Sequence, residues 1–187
     1  MIRSILLVLL CTLSYLVKSQ NTSVEKSIYG VQPGFMGIWA HAEYKISEQI
    51  ALRAELGFNS GFWASSSFGF KYTIIPEITA EPRWYYNLNK RESKSKRTDG
   101  NSGNFLSLKS TYNPDLFLIT NYDLERIVSF ISVIPSWGIR RNIGNHFNYE
   151  AGLGIGYRYY FPEDPEKFGE RNQVALNLHL RIGFRFN

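Results

Sequence analysis

The sequence predicts an all-β fold of antiparallel strands, and three observations support this prediction. Apolar and polar residues alternate with a two-residue period in several segments, as they do in a strand with one apolar and one polar face. Short polar stretches at 47–49 and 141–145 have the composition of tight turns between such strands. No segment shows the roughly 3.6-residue period of an amphipathic helix, and no heptad or solenoid repeat is evident.

The first 19 residues have the order of a secretory signal peptide, in which Arg3 precedes a long apolar stretch that small and polar residues follow. The apolar stretch falls short of the roughly 20 residues that a spanning helix needs, so a membrane anchor is the weaker interpretation. A lipoprotein signal would acylate Cys11, but leucines precede this residue where small residues are expected. The sequence therefore predicts a cleaved signal peptide, 1–19, followed by a single domain, 20–187.

Composition excludes several classes of function. Cys11 is the only cysteine, so the mature chain would contain none, which excludes disulfides, cysteine-ligated zinc and thiol nucleophiles. The formal net charge of +5 includes Arg3 and Lys18, and losing them leaves about +3. That charge is too small to argue for nucleic acid as a partner. An exported chain rich in Tyr, Phe and Trp and without cysteine is typical of the bacterial envelope.

The C-terminal segment QVALNLHLRIGFRFN, 173–187, alternates most regularly. Apolar residues occupy every second position from Val174 to Phe186. The positions between them are polar, as at Asn177, apart from the small residues Ala175 and Gly183. The same alternation recurs, with more noise in 104–119 and 127–141, in the segments 50–59, 71–88, 104–119, 127–141 and 147–161. Each such segment is expected to form one strand.

The polar faces of these strands favour a membrane barrel with apolar faces in contact with lipid. They carry charges of both signs, as expected of a narrow lumen filled by paired side chains. The charges predicted to form this structural network are Glu55, Glu77, Glu81, Arg83, Glu150, Arg158, His179, Arg181 and Arg185. Glu43, Lys45, Arg53 and Lys109 lie on the same polar faces.

Aromatic residues gather at the strand ends, as in the two interfacial belts of a transmembrane barrel. One rim is predicted to contain Trp84, Tyr86, Trp137, Phe147, Tyr149, Phe184 and Phe186, and the other Phe58, Trp63, Tyr157, Tyr159 and Phe161. Four prolines oppose this interpretation, because a proline inside a strand removes a ladder hydrogen bond. They are Pro76, Pro82, Pro114 and Pro135, all expected to face outward. A β-sandwich or a soluble lipocalin-like barrel therefore remains an alternative.

Strand length and parity predict eight strands. A spanning strand takes about 9–11 residues, and bacterial single-chain barrels have an even number of strands. With the segment 27–46 before the turn at 47–49, the alternating segments number seven, and an even number requires one more strand. The residues before that turn should therefore hold two strands broken near Pro33–Gly34, with the first at about 23–32. The same parity places the connection 89–103 at the end that carries the turn 47–49.

The predicted signal peptide, the alternating strands and the closing LRIGFRFN, 180–187, resemble the small outer-membrane β-barrel family typified by the OmpA transmembrane domain and its OmpX- and OmpW-like relatives. The segments EPRWYYNLNKR, GIRRNIG and NLHLRIGFRF are similar to those of Bacteroidetes-type barrel proteins. Phe186 resembles the C-terminal targeting signal of Gram-negative barrels, although Asn187 follows it. The resemblance covers the mature chain. It implies a location in the bacterial outer membrane, contact with outer-membrane lipids and lipopolysaccharide, and assembly by the barrel-assembly machinery through the C-terminal strand.

No catalytic, cofactor or metal site is predicted. Glu77 and Glu81 share a strand face, but four residues along a strand span about 13 Å, beyond the roughly 5–9.5 Å of glycosidase carboxylates. The glycines of GLGIG, 152–156, precede no helix that could bind phosphate, and they are expected to make room for large inward side chains. His41, His146 and His179 lack a metal-ligand spacing.

The connection NKRESKSKRTDGNSG, 89–103, is basic, rich in Ser and Gly and without apolar anchors, which predicts a flexible, solvated turn. The functional alternative is an anion-binding loop formed by Lys90, Arg91, Lys94, Lys96 and Arg97. Its partner would be peptidoglycan or another envelope protein on the periplasmic side, or lipopolysaccharide phosphates on the outside.

The expected function is that of a non-enzymatic outer-membrane barrel with a side-chain-filled lumen and a structural or surface-interaction role. One alternative is a small pore or a carrier for a hydrophobic compound. Another is a lipid-modifying enzyme, for which only Ser65, Ser66 and Ser67 stand out, without a histidine motif beside them.

Overall fold

A computed structural model describes residues 22–65, 69–124, 127–164, 166 and 169–186. The predicted signal peptide, 1–19, lies outside the described residues. The strands are β1 (Ser27–Gly34), β2 (Gly37–Lys45), β3 (Ile50–Ser65), β4 (Gly69–Trp84), β5 (Asn104–Asn113), β6 (Ile119–Thr120), β7 (Phe130–Ile143), β8 (Phe147–Tyr160) and β9 (Asn172–Arg185). The connection between β4 and β5 contains a short helix, α1 (Leu88–Glu92), and a 3₁₀ turn (Asp99–Asn101). Among the described residues, no helix has both the length and the apolar character needed to cross a membrane.

Eight strands form a ring in which every neighbouring pair is antiparallel. The order around the ring is β1, β2, β3, β4, β5, β7, β8 and β9, and β9 pairs with β1 to close it. The two-residue strand β6 pairs with the part of β4 that lies beyond β5. The prediction of an all-β, antiparallel, up-and-down fold is therefore confirmed.

The N-terminal region contains the two strands that parity predicts. They are β1 and β2, and a two-residue turn at Phe35–Met36 joins them with Gly34 opposite Gly37. The backbone dihedral angle φ of Gly37 is 152°, and a Cβ atom there would collide with the carbonyl oxygen of Phe58 in β3. Only glycine fits this close approach of the β1–β2 turn to β3. The first strand begins at Ser27, a few residues later than the sequence predicts.

The ring has two distinct ends. The turn end carries residues 22–26, the connections 46–49, 85–103 and 144–146, and Phe186. The opposite end, called the loop end, carries the β1–β2 turn and the longer connections that precede β7 and β9. The long connection 85–103 thus shares an end with the turn 46–49, as parity predicts.

Polarity across the wall of the ring is the reverse of that in an ordinary globular sheet. In β9, Arg181 is 3% exposed and points into the ring, whereas the neighbouring apolar residues Leu178 and Leu180 are 83% and 64% exposed on the outer face. The other ring strands show the same alternation of buried polar and exposed apolar side chains. One apolar core cluster lies at the turn end and consists of Val24, Ala51, Tyr85, Leu88 and Phe105.

Aromatic side chains cluster on the outer face near both ends. At the turn end, Trp84 packs against Tyr86 with ring centroids 6.0 Å apart, and Trp137 Nε1 donates a 2.9 Å hydrogen bond to the Tyr86 hydroxyl. Phe147 and Phe184 are 5.3 Å apart at the same end. Toward the loop end, the close pairs are Phe58–Phe117, Phe62–Phe70 and Tyr159–Phe161.

The prolines fit the sheet in different ways. Pro82 in β4 and Pro135 in β7 face outward and are exposed, as the sequence predicts. Pro76 also lies in β4, but its side chain is buried, and its carbonyl oxygen accepts a 3.1 Å hydrogen bond from Asn113 Nδ2. The prediction for Pro114 is wrong, because this residue is buried and follows the end of β5. Its missing N–H cannot extend the ladder, and pairing with β4 resumes only at β6.

Candidate functional site

The interior of the ring holds a network of charged side chains that the described strands bring together from all sides. Each member is at most 9% exposed. The members are Glu43, Arg53, Glu55, Glu81, Arg83, Arg140, Glu150, His179 and Arg181. Because the two-residue period turns alternate side chains inward, six strands, β2, β3, β4, β7, β8 and β9, contribute to the same interior.

Glu150 in β8 lies at the centre of this charge network. Arg140 is opposite Glu150 in the register of β7 and β8, and its Nε atom donates a 2.9 Å hydrogen bond to Glu150 Oε2. Arg83 in β4 reaches across the ring and donates hydrogen bonds of 2.9 and 2.8 Å to the two carboxylate oxygens of Glu150. His179 Nε2 in β9 lies 3.5 Å from Glu150 Oε1. A single carboxylate therefore connects side chains of four strands.

Glu43 and Glu55 extend the charge network toward β2 and β3. Arg140 Nη2 lies 2.9 Å from Glu43 Oε2. Glu55 Oε1 accepts hydrogen bonds of 2.5 Å from Arg53 Nε and of 2.8 Å from Arg181 Nη1. Buried charges are costly unless they are paired and hydrogen-bonded, and here each glutamate contacts at least one arginine.

The four glutamates and four arginines of the network balance one another. They are Glu43, Glu55, Glu81 and Glu150 with Arg53, Arg83, Arg140 and Arg181. Glu81 Oε2 receives a 2.6 Å hydrogen bond from Arg83 Nη2, and its Oε1 accepts a further one from Ser107. This pairing places ion pairs across the interior, so its chemical consequence is to hold the strands together.

Three of the residues predicted for the network lie outside it. Glu77 is buried, but its partners are Trp39 Nε1 and Asn59 Nδ2 and not an arginine. Arg158 lies toward the loop end, with its guanidinium 4.5 Å from the centre of the Phe130 ring. Arg185 lies at the turn end. The other six, Glu55, Glu81, Arg83, Glu150, His179 and Arg181, are all members.

Sequence reasoning missed Arg140, although it bridges two glutamates. Its inward neighbours in β7 are Ser132, Ile134, Ser136 and Gly138. Because these inward residues are small or apolar, the alternation of polar and apolar residues in the sequence of β7 is weak. The usable signal is the two-residue spacing itself, which puts Arg140 in phase with Ser136.

The glycines of GLGIG, in β8, provide space and not a phosphate site. A Cβ atom at Gly152 would collide with the imidazole of His179, and one at Gly154 would collide with Ser136 and with the backbone of β7. Gly156 likewise lies against the backbone of Val133. The contact at Gly152 agrees with the interpretation that the glycines make room for large inward side chains, whereas Gly154 and Gly156 allow the β7 backbone to come close.

The connection 85–103 folds across the turn end of the ring as a cap. Residues 89–97 are mostly exposed, as the prediction of a solvated turn expects, whereas residues 100–103 are buried. Tyr85 and Leu88 at its start and Phe105 just after its end are fully buried. The rings of Tyr85 and Phe105 are 5.5 Å apart, and the Arg83 guanidinium lies 4.3 Å from the centre of the Phe105 ring. The anchors are residues at the strand ends, which the composition of the connection itself does not reveal.

The cap is bonded directly to the charge network through Glu43. The Oε1 atom of Glu43 accepts hydrogen bonds of 2.5 Å from Asn101 Nδ2 and of 3.0 Å from the Tyr85 hydroxyl. Asn101 Oδ1 accepts a 2.8 Å hydrogen bond from the backbone N–H of Glu25, and Glu25 Oε1 accepts one from the Gly100 N–H. These hydrogen bonds join the cap to the N-terminal segment and to β2 at the turn end.

The two arginines of the predicted anion-binding loop, Arg91 and Arg97, form hydrogen bonds to other residues of the turn end. Arg97 donates hydrogen bonds of 2.9 and 2.7 Å to the two carboxylate oxygens of Asp99 and another of 2.7 Å to the Gly144 carbonyl. The Arg97 hydrogen bonds are the main cause of the lowered pKa of Asp99. Arg91 donates two hydrogen bonds to the carbonyl of Arg97. Lys90, Lys94 and Lys96 are exposed on the outside of the cap.

Other chemistry finds little support in the described residues. Within them, no group of three or more His, Cys, Asp or Glu side chains could hold a metal ion. Ser66 and Ser67, considered for lipid chemistry, lie outside the described residues, and Ser65 ends β3. Comparison of the chain with protein-family models found no match, and neither did comparison with curated proteins or with solved structures.

Proposed function

We propose that the chain is a non-enzymatic β-barrel protein of the bacterial outer membrane, with a lumen filled by side chains and a structural or surface-interaction role. The observation that carries this proposal is the inverted polarity of the ring. Charged residues such as Glu150 and Arg181 are buried inside, whereas Leu176 and Leu178 are 73% and 83% exposed outside. An outer surface with so many exposed apolar side chains supports contact with the hydrocarbon of a lipid bilayer.

The alternative of a soluble sandwich or lipocalin-like barrel accounts poorly for this polarity. Such folds bury the apolar face of each strand and expose the polar face. The closed pairing of eight strands also suits a bilayer, because it leaves no open sheet edge among them to face hydrocarbon. The aromatic side chains near both ends of the outer face have the placement of interfacial belts.

The paired charges of the interior support a structural role. Their carboxylates and guanidinium groups contact one another across the ring, and the cap closes one end. Groups engaged in this way are suited to holding strands together and to excluding water. In this proposal the interior side chains stabilise the ring and block its lumen, and the ends of the ring contact partners.

The location is tested by cell fractionation combined with electrophoresis of unheated and heated samples. We expect the protein in the outer-membrane fraction, and we expect the folded barrel to migrate differently before and after boiling. A co-expressed periplasmic protein serves as the control for leakage between fractions. Recovery of the chain in the soluble periplasm would contradict the proposal.

The occluded interior is tested by recordings in planar lipid bilayers. We expect no stable single-channel conductance from the reconstituted protein, because Arg83 and Arg140 cross the interior to reach Glu150 and Glu43. A general porin reconstituted in the same bilayer is the positive control. A reproducible ohmic conductance from this protein would instead support the small-pore alternative.

A further inference from the structure

The two ends of the ring carry opposite net charge. The turn end has nine basic residues, which are Lys26, Lys45, Lys90, Arg91, Lys94, Lys96, Arg97, Arg141 and Arg185, and four acidic residues, which are Glu25, Glu48, Glu92 and Asp99. The described part of the loop end has the opposite balance, with the acidic residues Asp115, Asp123, Glu163, Asp164, Glu166 and Glu170 and the basic residues Lys71, Arg158 and Arg171. Because the two ends differ in the sign of their net charge, they attract partners of opposite charge to one another.

The most basic part of the turn end is the cap, and its lysines are available for binding. Lys90, Lys94 and Lys96 are exposed and form no ion pair within the described part of the chain. Glu92, which lies between Lys90 and Lys94 in the sequence, accepts a hydrogen bond from the Thr22 hydroxyl. The backbone that carries the lysines has its own hydrogen bonds, from the Lys94 and Lys96 N–H groups to the Arg91 carbonyl and from the Arg91 side chain to the Arg97 carbonyl. A partner would therefore meet positive charges on an ordered support, with little ordering cost in the backbone.

The surface of the cap fits a polyanion better than a folded protein. The one large apolar side chain between residues 87 and 103, Leu88, is fully buried. Protein interfaces need buried aromatic or aliphatic anchors and are depleted in lysine, and the cap offers no such anchor on its outer side. Its arginines are hydrogen-bonded within the cap, so the remaining lysines act as point charges without a fixed bidentate geometry. Lysine ammonium groups of this kind bind surfaces that carry many negative charges close together.

We propose that the cap is a docking surface for the carboxylate-bearing glycan network of the cell wall, peptidoglycan. This inference rests on the proposed function, which aligns the ring axis with the membrane normal. It takes the turn end as periplasmic, because the short connections 46–49 and 144–146 lie there and the longer connections before β7 and β9 lie at the opposite end. The cap spans the mouth of the ring through its bonds to Glu25 and Gly144, so its exposed side faces along the axis into the aqueous compartment and away from the apolar outer face. The short peptides of peptidoglycan present many free carboxylates, and repeated weak contacts to such a network add up through multivalency.

The proposal is tested by sedimentation of the refolded full-length mature chain with purified peptidoglycan sacculi. The test variant is Lys94→Gln/Lys96→Gln, and the matched control is Lys71→Gln/Arg171→Gln, which removes two positive charges from the loop end. We expect the test variant to bind about 25-fold more weakly at low ionic strength, because each lysine near an anionic surface contributes a factor of about five. The control should bind as the unmodified chain does, and binding should weaken as salt is added.

Two further binding experiments identify the chemical groups that the cap binds. Sacculi whose carboxylates have been converted to amides should no longer sediment the protein. Vesicles of zwitterionic lipid with and without an anionic phospholipid test a lipid surface as the occupant. Binding to anionic vesicles but not to sacculi, failure of the unmodified chain to sediment, or equal losses in the two double variants would each overturn the proposal.

The outcome can be separated from that of the proposed function. Folding of each variant is checked by its unheated migration in gels, so loss of binding is not confused with misfolding. A chain that fractionates with the outer membrane but fails to sediment with sacculi contradicts the docking surface alone. A chain found in the soluble periplasm contradicts the proposed function, whatever the sacculi show.

Discussion

Replacing Glu150 with glutamine is expected to lower the free energy of unfolding by about 3–5 kcal/mol, as the loss of one partner from a buried ion pair does. The carboxylate receives two hydrogen bonds from Arg83 and one from Arg140, and all three side chains are at most 2% exposed. The neutral amide leaves both guanidinium groups without their shared counter-charge in the interior. The change is measured from urea unfolding curves of the protein refolded in lipid vesicles, followed by gel migration and tryptophan fluorescence.

The control for this prediction is Glu48→Gln, which neutralises an exposed carboxylate in the turn between β2 and β3. Exposed substitutions away from specific contacts usually change stability by about 0.5 kcal/mol or less. Equal effects of the two substitutions would mean that the interior is hydrated enough to solvate Arg83 and Arg140 on its own. The interior would then be an open channel, and the bilayer recordings should show a conductance.

The strands were predictable because the fold repeats one simple rule. In β9, each outward apolar residue from Val174 onward is followed by a small or polar inward residue, and the period alone defines the strand. The same rule identifies β3, β4 and β8 without any knowledge of their neighbours. It also places the charged residues on the inward face, since a side chain's face depends only on its position within the strand. Pairing partners such as Arg83 and Glu150 depend on ring closure, and no local pattern contains them.

The cap could not be predicted, because its stability comes from residues far apart in the chain. Asn101 bonds to Glu43, which lies 58 residues earlier, and the anchors Tyr85 and Phe105 belong to the strand ends. Read alone, the connection has the composition of a flexible linker. Long-range contacts decide these features, whereas periodicity decides the strands.

The orientation of the apolar faces leads to a second large effect, at Leu178 in the middle of β9. This side chain is 83% exposed on the outer face and is opposite Leu153 in the register of β8 and β9. If the outer face meets lipid, Leu178→Arg places a charge deep in the hydrocarbon and should cost about 2–4 kcal/mol. If the outer face meets water, the same substitution at so exposed a position should cost about 0.5 kcal/mol or less. The two environments therefore predict clearly different values for one variant.

Val174→Arg is the matched control, because Val174 lies on the same face of β9 but near its loop end, opposite Tyr157. The cost of an arginine on a lipid-facing strand falls to about 0–1 kcal/mol near the interface. Unfolding in urea is measured for both variants in vesicles, where the depth dependence should appear, and in detergent. A cost at Leu178 no greater than that at Val174 would contradict a bilayer around the ring. A larger cost at Leu178 would require hydrocarbon at mid-height, because packing within the protein contributes little at so exposed a residue.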